Sequence, residues 1–236
     1  MQPDDGLAAL SAPLNRTLGD HVVQRLREAI LNGQLKAGQR IVEHEIAAAM
    51  QVSRGPVRDA FVQLEREHLI VHQPYKGTIV SGITLRDAEE IYSLRQAIEG
   101  LALEYAIKYA SDEQIDELST IVDAMDERAR QDYTQEQATD LDLQFHDALY
   151  RICGHARVQV AWLALRPQVG LLILSYRLQQ PDNFRLWDTE WHRQIANALK
   201  SRDLQLGKEI VNGHLAIAYE VVAAAFRQAD AIQQNS

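Results

Sequence analysis

Asp142 and His146 stand four residues apart in a stretch of helical periodicity, and Leu149 and Cys153 continue the same face. Side chains so spaced share one side of a helix, so a carboxylate and an imidazole point inward together. Two more histidines fall on apolar faces of later segments: His192 precedes Ile195, Ala196 and Leu199, and His214 sits among Ile210, Ile217, Ala218 and Val221. A lone inward histidine is ordinarily a hydrogen-bonded core residue. One aspartate and three histidines aimed at a common core read instead as donors for a divalent metal, with positions left over for ligand oxygens or water. Zinc stands ahead of nickel and manganese, although cellular supply also decides occupancy. An open Asp/His site could equally activate water in a metal-dependent hydrolase or oxidative enzyme. No general base or nucleophile is spaced with the four. A third reading makes the histidines plain core residues of a dimerisation bundle.

A second set of residues suits a different chemistry. Ser53 is placed to cap a helix, with Pro56 in its first turn, and Val57, Ala60, Phe61 and Leu64 bury one side of it. Arg54 and Arg58 share a face that the apolar stripe leaves open, where guanidinium forks can meet phosphates or guanine edges. Taken alone, two such arginines also fit an ordinary solvated surface helix.

The surrounding elements favour the nucleic-acid reading. Thr17 with Asp20 resembles a capping box, and Leu18, Val22, Leu26 and Ile30 give a first helix closed by Asn32-Gly33. A short helix from Glu43 to about Met50 turns through Gln51-Val52 into the arginine helix. Leu69–His72 and Thr78–Ser81 are β-prone runs around Gln-Pro-Tyr-Lys-Gly, which predicts a hairpin wing with Lys76 and Gly77 at its tip. Helix, turn, helix, hairpin is the order of a winged helix-turn-helix.

From about Thr84 the pattern is helical throughout. It predicts segments near 84–110, 112–131, 135–153, 156–178, 184–201 and 203–229, with Pro167 kinking or splitting the fourth. The fold expected is mainly α: a winged helix-turn-helix, then an all-α antiparallel bundle. The division is a flexible tail at 1–16, a DNA-binding domain at 17–81 and a helical effector-binding and dimerisation domain at 82–230.

Composition narrows the setting. Residues 1–81 carry nine Lys/Arg against nine Asp/Glu, and the remainder 15 against 24, which accounts for the net charge of −9. So acidic a chain is not a general polyanion binder, and DNA contact must rest on the local grouping of Arg40, Arg54, Arg58 and Lys76. No basic start followed by an apolar run marks a signal peptide, and no long charge-free run predicts a membrane span. Cys153 is the sole cysteine, which suits a reducing cytoplasm and a buried thiol.

Arg40, the run Val52-Ser-Arg-Gly-Pro-Val-Arg58-Asp-Ala and the Lys76-Gly77 wing resemble the amino-terminal domain of GntR-family transcription regulators. Arg95-Gln-Ala-Ile-Glu99, with Ala102 and Ala106, resembles the opening of the FCD-type ligand domain in the FadR-like branch. Asp142-Leu-Gln-Phe-His146, His192-Arg-Gln-Ile and His214-Leu are similar to that domain's metal-binding pattern. The resemblance runs from Thr17 to about Phe226.

It implies a regulator and not an enzyme, with repression relieved by a metabolite as the usual mode. Arg54 and Arg58 would contact a palindromic operator, Ser53 and Gly55 would touch phosphate, and Lys76 with Gly77 would enter the minor groove. Asp142, His146, His192 and His214 would hold the metal, and Arg95 would meet the carboxylate of a small organic acid. Two subunits would share the operator. His44 stands where the family often has arginine or another polar residue, and it reads equally as an exposed, solvated histidine. Lys76 stands where arginine is common, which keeps the charge but weakens any forked contact there. His155 reads as a helix cap and not a further ligand. Arg95 with Glu99 four residues on could also form a plain helical ion pair.

Overall fold

The computed structural model describes residues 18–131, 134–179 and 188–234, so the tail, the Thr17 half of the first capping box and the Pro181-Asp182 break lie outside the described residues. Apolar periodicity sets the first helix, α1 (Leu18–Leu31), whose buried side is Val22, Val23, Leu26 and Ile30. Leu18, predicted to belong to that side, is exposed instead: no layer among the described residues covers it. Then come α2 (Glu43–Met50) and α3 (Arg54–Arg66), joined by Gln51 in the left-handed conformation at φ 55°. Strands β1 (Ile70–Gln73) and β2 (Gly77–Val80) pair antiparallel, with Ile70 opposite Val80 and Gln73 opposite Gly77. Arg40 adds one bridge to Ile79 on the outer edge of β2. Val22, Leu26, Val57, Phe61, Leu64, Leu69 and Val80 close one core among these elements.

A second core is built by α4 (Leu85–Tyr109), α5 (Asp112–Ala129), α6 (Gln135–Ile152), α7 (Ala156–Gln179), α8 (Asp188–Lys200) and α9 (Leu204–Gln234). The mainly α architecture with a winged amino-terminal unit is therefore as expected. The breaks between helices are caps: Thr84 with Asp87, Ser111 with Gln114 and Thr134 with Gln137 each exchange side-chain and backbone bonds as capping boxes. His155 caps α7, its Nδ1 accepting from the Val158 N–H at 3.4 Å.

Pro167 does not split α7, which runs on through it. A proline forfeits one backbone bond, but this one is buried in a helix that packs against α1, α4, α6 and α9 at once. Continuity is favoured because Trp162, Leu165, Val169, Leu172 and Leu174 are buried on both sides of it. Helix α7 also touches the amino-terminal unit. Gly170 leaves room there for Leu143 and Leu31, whose carbons would lie 3.1 and 3.6 Å from a β-carbon at that position.

The segment Leu204–Arg227 of α9 is long and apolar enough to cross a membrane, with mean hydropathy 1.2. Its outer side carries exposed Gln205, Glu209, Asn212, Glu220 and Arg227, the pattern of a helix half in water.

Candidate metal centre and DNA-facing surface

Helices α6, α8 and α9 each supply one histidine to a common point inside the second core. His146, His192 and His214 are buried, and one ring nitrogen of each lies within 4.8 Å of the others. The rings of His146 and His214 stack with centroids 5.8 Å apart, while His192 meets them edge-on at 5.2 and 5.0 Å. His192 Nε2 is 3.4 Å from His146 Nε2 and 3.5 Å from Asp142 Oδ1. Asp142, one turn before His146 and buried, thus borders the cluster on the His192 side.

Helix α4 delivers the rest. Arg95 and Glu99 interrupt a buried stripe of Ala88, Ile91, Tyr92, Ala102, Leu103 and Ala106, and both are themselves buried. Arg95 Nη2 lies 3.4 Å from Glu99 Oε2, so the helical ion pair exists. The same Nη2 also lies 3.1 Å from His146 Nε2, so the guanidinium belongs to the cluster as well. Glu99 Oε1 stands 3.1 Å from His146 Nδ1. A carboxylate there favours a proton on Nδ1 and turns the Nε2 lone pair toward Arg95 and His192. The Tyr150 hydroxyl donates to Glu99 Oε2 at 3.4 Å, and its ring stacks on Trp162 at 4.6 Å.

Charge follows from this packing. Burial lowers the His192 pKa to about 3 against the opposing pull of Asp142, and burial, with His192 and His146 adding to it, takes His214 well below its ordinary value. Both are therefore neutral imidazoles near neutral pH, the form that ligates metals. Burial alone would push Glu99 up, but His146 and Arg95 outweigh it and hold the carboxyl below the usual range. Three buried imidazoles bordered by a carboxylate fit a divalent ion such as zinc, nickel or manganese. Cys153 is buried and its thiol is pushed up by burial, so it is no thiolate ligand.

The other predicted site residues lie on the surface of the amino-terminal unit. Arg40, Arg54 and Gly77 line one notch of about 300 Å³ between α3 and the wing, together with Glu43, His44, His72 and Thr78. Arg58, one turn along α3, is exposed and meets Glu43 Oε2 at 3.4 Å. Lys76 lies in the turn between the strands. Ser53 occupies the cap position of α3 without a side-chain cap bond, and Gly55 follows it, both exposed. Phosphate-sized access is therefore open along this edge.

The model of the gntR family of bacterial regulatory proteins matches residues 18–80, and that of the FCD domain matches residues 90–217. The chain belongs to the gntR family and carries an FCD domain. Among its relatives, the gluconate operon transcriptional repressor of Bacillus subtilis (strain 168) is 29% identical over 80% of this chain and 78% of its own. The HTH-type transcriptional repressor RspR of Escherichia coli (strain K12) is 25% identical over 84% and 86%. In fold, a GntR regulator from Rhodococcus sp. RHA1 superimposes with a TM-score of 0.72 at 24% identity, covering 88% of this chain and 98% of that one. McbR/YncC of E. coli gives 0.67 at 21%, covering 86% and 98%. These families and relatives are transcription regulators and not enzymes, which removes the hydrolase and oxidase readings.

Two members of this GntR regulator's site escaped the sequence reading. Glu99 was visible only as a partner for Arg95, and its approach to His146 joins residues 47 positions apart. Its presence on an otherwise apolar stripe was the available signal. Glu43 beside Arg58 was the other, and there the sequence carried none.

Proposed function

We propose that this protein is a cytoplasmic, homodimeric repressor that holds a divalent metal in its FCD domain and releases a palindromic operator when a small organic acid binds there. Asp142, His146, His192 and His214 hold the ion in this reading. When bound, the metal offers open positions to carboxylate oxygens. Arg95 carries the argument: its guanidinium reaches the histidine cluster, yet its buried Nε has no hydrogen-bond partner among the described residues. A buried donor left in that condition is costly, and a carboxylate is the acceptor whose geometry suits it. One relative is named for the gluconate operon, and gluconate is such a carboxylate.

The FCD and DNA-binding parts meet where Leu31, Leu143 and Gly170 come together, with Leu143 next in sequence to Asp142. Effector binding shifts the DNA-competent arrangement only as far as its affinity differs between the two arrangements. In a dimer, two α3 helices face half-sites about one helical turn apart. Arg40, Ser53, Arg54, Gly55, Arg58, Lys76 and Gly77 then make the contacts.

Elemental mass spectrometry of wild type, His192→Ala and His214→Ala tests the metal, and thermal shift against sugar acids and other small organic acids tests the effector. Near-stoichiometric metal lost from both variants, with acid-dependent stabilisation of wild type alone, is the expected result. No metal and no shift after reconstitution would reduce the histidines to core residues.

A further inference from the structure

The turn of the wing has a feature that the Lys76 and Gly77 contacts do not explain. The Lys76 N–H donates to the Gln73 carbonyl across 3.2 Å, which closes a four-residue turn with Pro74 and Tyr75 at its centre. Tyr75 has φ +67°. Proline in the second place followed by a positive φ in the third is the arrangement of a type II turn, whose third place normally holds glycine or asparagine. A tyrosine there is strained, because its β-carbon crowds the backbone. Its ring gains no burial in return, since the residue is 108% exposed. The turn thus holds an aromatic ring outward, against both local preference and solvent.

Its neighbours say what it faces. Lys76 and Gly77 follow it, and the Arg40 guanidinium lies beside Gly77, its Nε 3.5 Å from where a β-carbon would stand. Residues 70–80 contain Lys76 and His72 and no acidic side chain. A protein partner for a lone aromatic would ordinarily require an apolar surround. A basic and glycine-bearing surround suits a polyanion, and tyrosine both packs on sugar and donates to phosphate.

We propose that Tyr75 is a DNA-contacting residue of the wing, its ring against the sugar–phosphate rail of the minor groove and its hydroxyl on a phosphate when α3 is docked. This rests on the reading of Arg54 and its neighbours as the DNA-facing surface. The test uses the full-length protein and a duplex that the wild type selects from a randomised pool, with affinity measured by fluorescence anisotropy over a salt series. Tyr75→Gly should bind about tenfold more weakly, the loss of one hydrogen bond to a charged group. Its thermal midpoint should equal or exceed that of wild type, because glycine relieves the turn. Its salt dependence should be unchanged since tyrosine is neutral, whereas Lys76→Ala should flatten it. Tyr75→Phe should recover the ring contact and not the hydroxyl's share. Tyr75→Gly binding within twofold of wild type, while Arg54→Ala binds poorly, would overturn the proposal. If Arg54→Ala and Lys76→Ala also bind as wild type, the DNA-facing surface itself has been misplaced and Tyr75 falls with it.

Discussion

The two polar surfaces of this regulator are built in opposite ways. On the amino-terminal unit, Arg40, Arg54, Arg58 and Lys76 are exposed, and the core behind them closes without their help. In the FCD domain, Arg95, Glu99, Asp142 and the three histidines are inside the core, packed against Phe145, Tyr150 and Trp162. A reading surface for an external polyanion needs only charge held in place. Polar groups taken out of water, as in the FCD core, are costly wherever a partner is lacking, as at Arg95 Nε. The first arrangement separates function from stability, and the second joins them.

Substitution of Glu99 should show that joining most strongly. Glu99→Ala leaves the Arg95 cation buried without its carboxylate, a change that typically costs about 3–5 kcal/mol. Urea denaturation should register it, while Arg54→Ala should stay within about 0.5 kcal/mol of wild type, as exposed positions do. A Glu99→Ala loss below about 1 kcal/mol would mean that the cluster admits water, and the contrast between the two regions would collapse. Next in size is metal removal. A chelator should lower the stability of the wild type by about 2.7 kcal/mol where metal had been present at a hundred times its Kd. The same treatment should leave His214→Ala unmoved, and equal effects on both would place the metal elsewhere.

Arg54→Ala and Arg58→Ala sharpen the comparison from the other side. Each should cost about 1–3 kcal/mol of operator affinity if the fork reads a base, with a thermal midpoint close to that of wild type. The two need not be equal. Glu43 holds Arg58 at 3.4 Å, so releasing that pair offsets part of the loss, whereas Arg54 has no such partner among the described residues. Anisotropy with the selected duplex separates them, and equal losses would show that Glu43 does not restrain Arg58.

What could be read from sequence depended on how far apart the cooperating residues lay. Asp142 and His146 were legible because helical spacing fixes their common direction, and His192 and His214 because apolar neighbours at three, four and seven residues define an inward face. Glu99 facing His146 was not legible, because that contact depends on where α4 crosses α6, which no local pattern encodes. The wing was read to within a residue at each strand, since Pro74 and Gly77 punctuate it. Pro167, expected to kink or split α7, does not split it. The local rule was sound, but α7 is apolar on nearly every side, and packing on four neighbours outweighs one missing bond. Ser53 stood at the cap as expected and yet makes no cap bond, so position was legible and interaction was not.

The smallest effect concerns the seam where the two regions touch. Leu31 ends α1 and sits against Gly170 of α7, where Leu143 of α6 also arrives, and Leu143 is covalently next to Asp142. In the function proposed above, Leu143 is placed to pass a movement of α6 at the candidate metal site toward Leu31 of the DNA-binding unit. Leu31→Ala removes a half-buried side chain, so its cost should fall near about 1 kcal/mol, below the range for fully buried leucines. Operator affinity without acid should stay within about twofold of wild type, because no DNA-facing residue is altered. The acid's effect on that affinity should shrink, since coupling between sites requires an element whose arrangement both bias. Anisotropy titrations with and without the stabilising acid give this ratio directly. An undiminished ratio would route the signal through the dimer instead, and the two regions would then communicate between subunits and not within one.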